Sequence, residues 1–162
     1  MLDSILKIAF SLLSGEDGNK NRSYNRTEIN KEFSKAKKEI HVKHKIQGFA
    51  KDGYTNKKLE LGGKWDYDHV VSSKKSFDYF KKDHSDKEIA KIINIGKNIA
   101  PTDRSINKSK GKYELHQVSD RLLKYGADPD LMKKAEKNAW ESMKKESQKI
   151  KKDNSIWSRL FG

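Results

Sequence analysis

The sequence predicts a small α+β protein, and three observations carry that prediction. Aromatic and β-branched residues gather over residues 64–71, a second apolar run opens at Asn98-Ile99-Ala100-Pro101, and a polar segment short enough for two helical turns leads from there to Gly111. Outside this stretch apolar residues recur every three or four positions, which is the spacing of amphipathic helices. Strand, strand and helix therefore form the centre, with helices inserted between the strands and added at both ends. The competing fold is an all-α basic protein, because helical pattern outweighs strand pattern along the chain.

At 162 residues the chain suits one domain with extensions rather than two domains. Hydrophobic residues make up 33% and charged residues 36%, so the core is small and the helices are largely solvated. The formal net charge is +13, from 36 Lys and Arg against 23 Asp and Glu. A charge of that size attracts polyanions and favours nucleic acid over an acidic small molecule as partner; a lysine-rich protein from an AT-rich genome would carry the same charge without any partner. The absence of cysteine excludes disulfides and a four-cysteine zinc ribbon.

Leu2, Ile5, Leu6, Ala9, Leu12 and Leu13 lie on one face of a predicted helix over residues 2–14. Asp3 and Lys7 interrupt the run and no basic leader precedes it, so it reads as neither signal peptide nor membrane span but as a helix docked on the body or on a second subunit. A second helix is predicted over 27–40, with Ile29, Phe33, Ala36 and Ile40 inward and Thr27 as N-cap. His41 and His44 follow as surface or phosphate-contact residues, since nothing nearby completes a metal site. Residues 46–62 read as short strands around the turn dipeptide Asp52-Gly53, with Tyr54, Leu59 and Leu61 forming a wall.

Phe77, Phe80, Ile89, Ile92 and Ile93 predict one or two helices over about residues 74–95, with His84 in a solvated stretch between them. Asp128-Pro129 starts a helix of about 23 residues, with Asp as cap and Pro in the first turn. Met132, Ala135, Ala139, Met143 and Ile150 form its apolar stripe, and the span 131–152 holds eight lysines against three glutamates. Ile156, Trp157, Leu160 and Phe161 then call for a partner surface, either the N-terminal helix of the same chain or that of a second copy in a homodimer. The chain thus divides into an N-terminal extension (1–45), a central unit (46–125) and a basic C-terminal helix with an apolar tail (126–162).

Asp66-x-Asp68-His69-Val70-Val71, then Asn98-Ile99-Ala100-Pro101, then Arg104-Ser105-x-Asn107-x-x-Lys110-Gly111 resembles the ββα-metal (HNH, or His-Me finger) nuclease motif. The variant is the one with Asn in the third position, similar to the HNH domain of CRISPR effector nucleases. The upstream Lys51-Asp52-Gly53-Tyr54-Thr55-Asn56-Lys57-Lys58-Leu59 is similar to that family's Tyr-Thr-Gly hairpin, so the resemblance covers residues 49–112. The long connection between His69 and Asn98 departs from the family.

The resemblance implies a metal-dependent endonuclease acting on DNA, of phage or mobile-element origin, in the cytoplasm of a bacterial host. It implies Asp68 and Asn107 as metal ligands, and such hard oxygen donors suit Mg²⁺ or Mn²⁺. It implies His69 as general base, facing away from Asp68 because strand neighbours alternate. Asn98 would brace the loop and orient His69, Lys110 would touch a phosphate near the scissile bond, and Asp66 would stand behind the ligands. Arg104 would neutralise phosphate or pair with Asp103, and with Lys108, Lys112, Lys133, Lys137 and Lys144 it makes up the expected nucleic-acid contacts. His116 falls outside the ligand pattern, since the family position for a further histidine is Gly111 here. The alternatives are an RNase or toxin nuclease of the same fold, a basic nucleic-acid-binding protein without turnover, and reliance on a partner protein for sequence specificity.

Overall fold

A computed structural model describes residues 22–161, so the helix predicted over residues 2–14 lies outside the described residues. The architecture is α+β, with two small antiparallel sheets held among helices. The first helix, α1 (Arg26–Gln47), is capped by Asn25 rather than Thr27, because the Asn25 side chain accepts from the Glu28 amide at 3.2 Å. The same side chain donates to Asp86 at 2.8 Å, which fixes the helix start to the inserted segment and favours Asn over Thr there. α1 outruns its predicted end by two turns. It stops at Gly48, whose φ of +83° lets its N–H reach the carbonyls of His44 and Lys45.

β1 (Phe49–Lys51) and β2 (Lys58–Glu60) form the first sheet, with Ala50 opposite Leu59. Asp52 organises their connection. One carboxylate oxygen accepts from the amides of Tyr54 and Thr55 at 2.8 and 3.0 Å, and the other accepts from the Thr102 hydroxyl and the Asp103 amide at 3.1 and 2.8 Å. The buried Asp52 thus ties the first sheet to the second. Gly53 donates to Pro101 O at 2.9 Å, and a Cβ added there would fall 2.8 Å from the Ala100 Cβ.

β3 (Trp65–His69) pairs antiparallel with β4 (Ile99–Asp103), His69 opposite Ile99 and Asp66 opposite Thr102. The predicted insertion is present as α2 (Ser73–Phe80) and α3 (Asp86–Ile93), capped by Ser72 and by a Ser85–Glu88 capping box. β4 runs directly into α4 (Arg104–Lys110), which Asp103 caps by accepting from the Ser105 amide at 2.7 Å. Strand, strand and helix thus follow in the predicted order.

α5 (Leu115–Leu123) and α6 (Pro129–Phe161) complete the chain. Asp128 accepts from the amides of Asp130 and Leu131 at 2.8 and 3.2 Å, as a cap should. α6 has 33 residues and absorbs the predicted tail into one helix. At about 1.5 Å per residue it is ~50 Å long. Its first half packs Met132, Ala139 and Met143 into a core shared with Ile29 of α1, Phe77 and Phe80 of α2, Ile89, Ile92 and Ile93 of α3, Ile106 of α4 and Leu115 and Leu122 of α5. All three spans of the chain therefore meet in one core. Its last turns leave Ile156, Trp157, Leu160 and Phe161 exposed, with Trp157 stacked on Phe161. Among the described residues no helix is long and apolar enough to cross a membrane.

Candidate functional site

The pleat of β3 divides the predicted site residues between two faces. Asp66 and Asp68 point toward α4, while Trp65, Tyr67 and His69 point toward α1. On the α4 face, Asn107 Nδ2 lies 3.4 Å from Asp66 Oδ2. Arg104, three residues earlier on α4, sets its guanidinium 3.3 Å from Asp66 Oδ1. Asn107 was expected beside Asp68, and Arg104 on phosphate or on Asp103; α4 begins just past the Trp65–Asp103 pair, at the Asp66 end of β3, so its first turn meets Asp66 rather than Asp68.

Asp68 sits deeper on the same face. Lys110, at the far end of α4, brings its ammonium 3.0 Å from Asp68 Oδ2 and 2.8 Å from the His69 carbonyl oxygen. The Tyr54 hydroxyl donates to the same carboxylate at 2.7 Å. Burial, and then the Asp68 charge, push the Tyr54 phenol well above its ordinary pKa, so it remains a donor at all working pH. The Lys110 side chain is 2% exposed and that of Asp68 10%. Lys110, predicted to touch phosphate, is therefore the buried counter-ion of Asp68, and both carboxylate oxygens of Asp68 are engaged.

His69 occupies the other face at the end of β3. Its ring stacks on Phe33 of α1 with centroids 4.2 Å apart, and its Nε2 lies 2.8 Å from Asn94 Oδ1. Burial lowers its pKa, so the ring is neutral at pH 7, as a proton acceptor must be. Asn98, predicted to orient His69, is wholly buried and braces the next residue but one: its Oδ1 accepts from the Val71 amide at 2.9 Å and its Nδ2 donates to Ile93 O at 2.8 Å. Asn98 thus bonds backbone atoms only, and the contact with the imidazole belongs to Asn94. Sequence reasoning missed Asn94 because nothing in its neighbourhood distinguishes it from a helix-ending asparagine.

The remaining histidines are placed as follows. His41 and His44 of α1 aim Nδ1 at the Tyr67 hydroxyl, at 3.3 and 2.9 Å, beside Trp65. They are half-buried packing residues of the α1–β3 contact, and burial lowers the pKa of His44 and raises that of Tyr67 to about 12. His84, predicted to be solvated, is buried with Nε2 2.7 Å from Ser147 Oγ, because α6 lies across the turn between α2 and α3. His116 is exposed beside Glu136.

Arg104, Lys108, Lys112, Lys133, Lys137 and Lys144 are all exposed. Lys133, Lys137 and Lys144 are four and seven residues apart and so share one face of α6. Lys144 lies over the rings of Tyr79 and Trp140, and Lys137 approaches Glu141 at 3.9 Å. Among the described residues, no three His, Cys, Asp or Glu side chains converge as a metal site. The oxygen donors that do converge are one carboxylate, Asp66, and one amide, Asn107. The amide oxygen and nitrogen of Asn107 exchange by rotation of the side chain, so the pair fits a hard divalent ion that keeps most of its water. Comparison with family models, with curated proteins and with solved structures finds no match for this chain.

Proposed function

We propose that the protein is a metal-dependent HNH-type endonuclease that hydrolyses phosphodiester bonds in DNA. The observation that carries this reading is the meeting of Asp66 and Asn107, 41 residues apart in sequence, 3.4 Å from each other beside the exposed Arg104. Two antiparallel strands followed at once by a helix produce that meeting, which is the order the resemblance requires. The net charge of +13 supports a polyanionic substrate.

In this reading Asp66 and Asn107 would hold Mg²⁺ or Mn²⁺, and the ion would supply positive charge against that developing on the phosphate. Arg104 leaves Asp66 for a phosphate oxygen, a bidentate contact its planar head is suited to make. His69 takes the proton from the attacking water while Asn98 holds the backbone of Val71 behind it. Lys110 neutralises Asp68 within the core and keeps β3 and α4 in register.

Two observations favour a second reading, a basic nucleic-acid-binding protein without turnover: Asp68 has both oxygens occupied, and His69 lies against Phe33. Incubation with supercoiled plasmid and Mg²⁺ or Mn²⁺ separates the two. Relaxed or linear product that disappears in His69→Ala by a factor of about 10² or more, with DNA affinity retained, supports the nuclease. Unchanged plasmid of retarded mobility supports the binding protein.

A further inference from the structure

Asn94 follows the last residue of α3 and is 7% exposed. Its Nδ2 donates to two carbonyl oxygens, Ile29 O of α1 at 3.0 Å and Ala90 O of α3 at 2.8 Å. With both donor positions taken, the amide is fixed, and its Oδ1 can only face the other way, where His69 Nε2 lies at 2.8 Å. An amide oxygen accepts and never donates. Nε2 must therefore carry the ring proton when His69 is neutral, and the lone pair falls on Nδ1. Phe33, stacked on the ring, opposes the flip that would put Cε1 in place of Nε2 against Asn94.

We propose that Asn94 is a positioning residue: it holds His69 in the Nε2–H tautomer and makes Nδ1 the nitrogen that takes a proton from water. The proposal rests on the nuclease reading for the use made of Nδ1, but the tautomer follows from geometry alone. In the reaction Nδ1 gains one proton, the oxygen of that water bonds to phosphorus, and the bond from phosphorus to the leaving sugar oxygen breaks. The leaving oxygen regains a proton from solvent. Both ring nitrogens then carry N–H, and Asn94 Oδ1 still accepts from Nε2, so the charged ring is held as the neutral one was. Asn98 does none of this, because its bonds go to backbone atoms of Val71 and Ile93.

The experiment is ¹⁵N NMR of the ring nitrogens of His69 in the full chain above neutral pH, for the wild type, Asn94→Leu and Asn94→Asp, with plasmid kinetics on the same samples. The wild type should show a protonated Nε2 and a bare Nδ1. Asn94→Leu should mix the tautomers and lower kcat by about tenfold or more with KM nearly unchanged. Asn94→Asp, which keeps the acceptor, should restore the Nε2–H tautomer and part of the rate. A bare Nε2 in the wild type overturns the proposal whether or not any variant folds. So does an Asn94→Leu protein that is folded and keeps both the wild-type tautomer and the wild-type kcat. A wild type with the expected tautomer that cuts no DNA leaves the positioning intact and overturns the nuclease reading instead.

Discussion

The ammonium of Lys110 sits 3.0 Å from the carboxylate of Asp68, with hardly any of either side chain exposed. Removing one member of such a pair leaves the other charged and unpaired in the core, a change that costs about 3–5 kcal/mol. Lys110→Ala should therefore unfold at much lower denaturant than the wild type, before any question of catalysis arises. A variant with wild-type stability and weaker DNA binding would return Lys110 to the phosphate contact that the motif suggested.

Divalent-ion binding should follow Asp66 more than the motif position Asp68 implies. Asp66→Asn keeps the shape of the side chain, and titration with Mn²⁺ followed by calorimetry should show affinity reduced by about tenfold or more, equivalent to ~1.4 kcal/mol or more. Asp68→Asn should act mainly on stability, through the stranded Lys110. Were Mn²⁺ affinity untouched in Asp66→Asn, the ligand pair would have to be sought elsewhere.

Gly53 is held against Ala100, and the methyl of Gly53→Ala would arrive 2.8 Å from the Ala100 Cβ. Neither atom can move without moving backbone, because Gly53 N–H is bonded to Pro101 O. A loss of about 1–3 kcal/mol is expected in urea unfolding. Ala100→Gly in the same chain should recover part of it.

Stability should fall as the solution is acidified below about pH 6.5, the ordinary value for histidine. His44, His69 and His84 are all pushed down by burial, so the unfolded chain takes up protons at a higher pH than the folded one. Their stabilising effect is complete above the unfolded value and is lost as pH drops from there toward the lower folded values. Thermal melts between neutral and mildly acidic pH should show it, and a melting temperature that rises on acidification would contradict it.

The sequence made the alternation of Asp66, Asp68 and His69 readable, because a strand leaves its side chains no other choice. It made α4 readable as a short polar run carrying Asn107 and ending at Gly111, where φ is positive. Which carboxylate Asn107 meets depends on where α4 begins relative to β3, and that is set by the pairing of Trp65 with Asp103, a contact far apart in sequence. His84 looked solvated because its neighbours are polar; the helix that buries it begins more than forty residues later. Asn94 was hidden for the same reason, its partners being Ile29 of α1 and His69 of β3.

The insertion between β3 and β4 also bears on how fast the chain reaches its native state. In a tight hairpin the strands meet across two to five residues, whereas His69 and Ile99 close a loop that spans residues 70–98. For a flexible loop that difference raises the entropic barrier to pairing by roughly 2 kcal/mol, enough to slow it by about thirtyfold. α2 and α3 shorten the effective loop, since capped helices with apolar faces can meet before the strands do. The order of events should then be helices of the insertion first, strand pairing second, and the Asp66–Asn107 contact last. Substitutions at Phe77 or Ile92 should slow folding, while substitutions at Asn107 should act on unfolding alone.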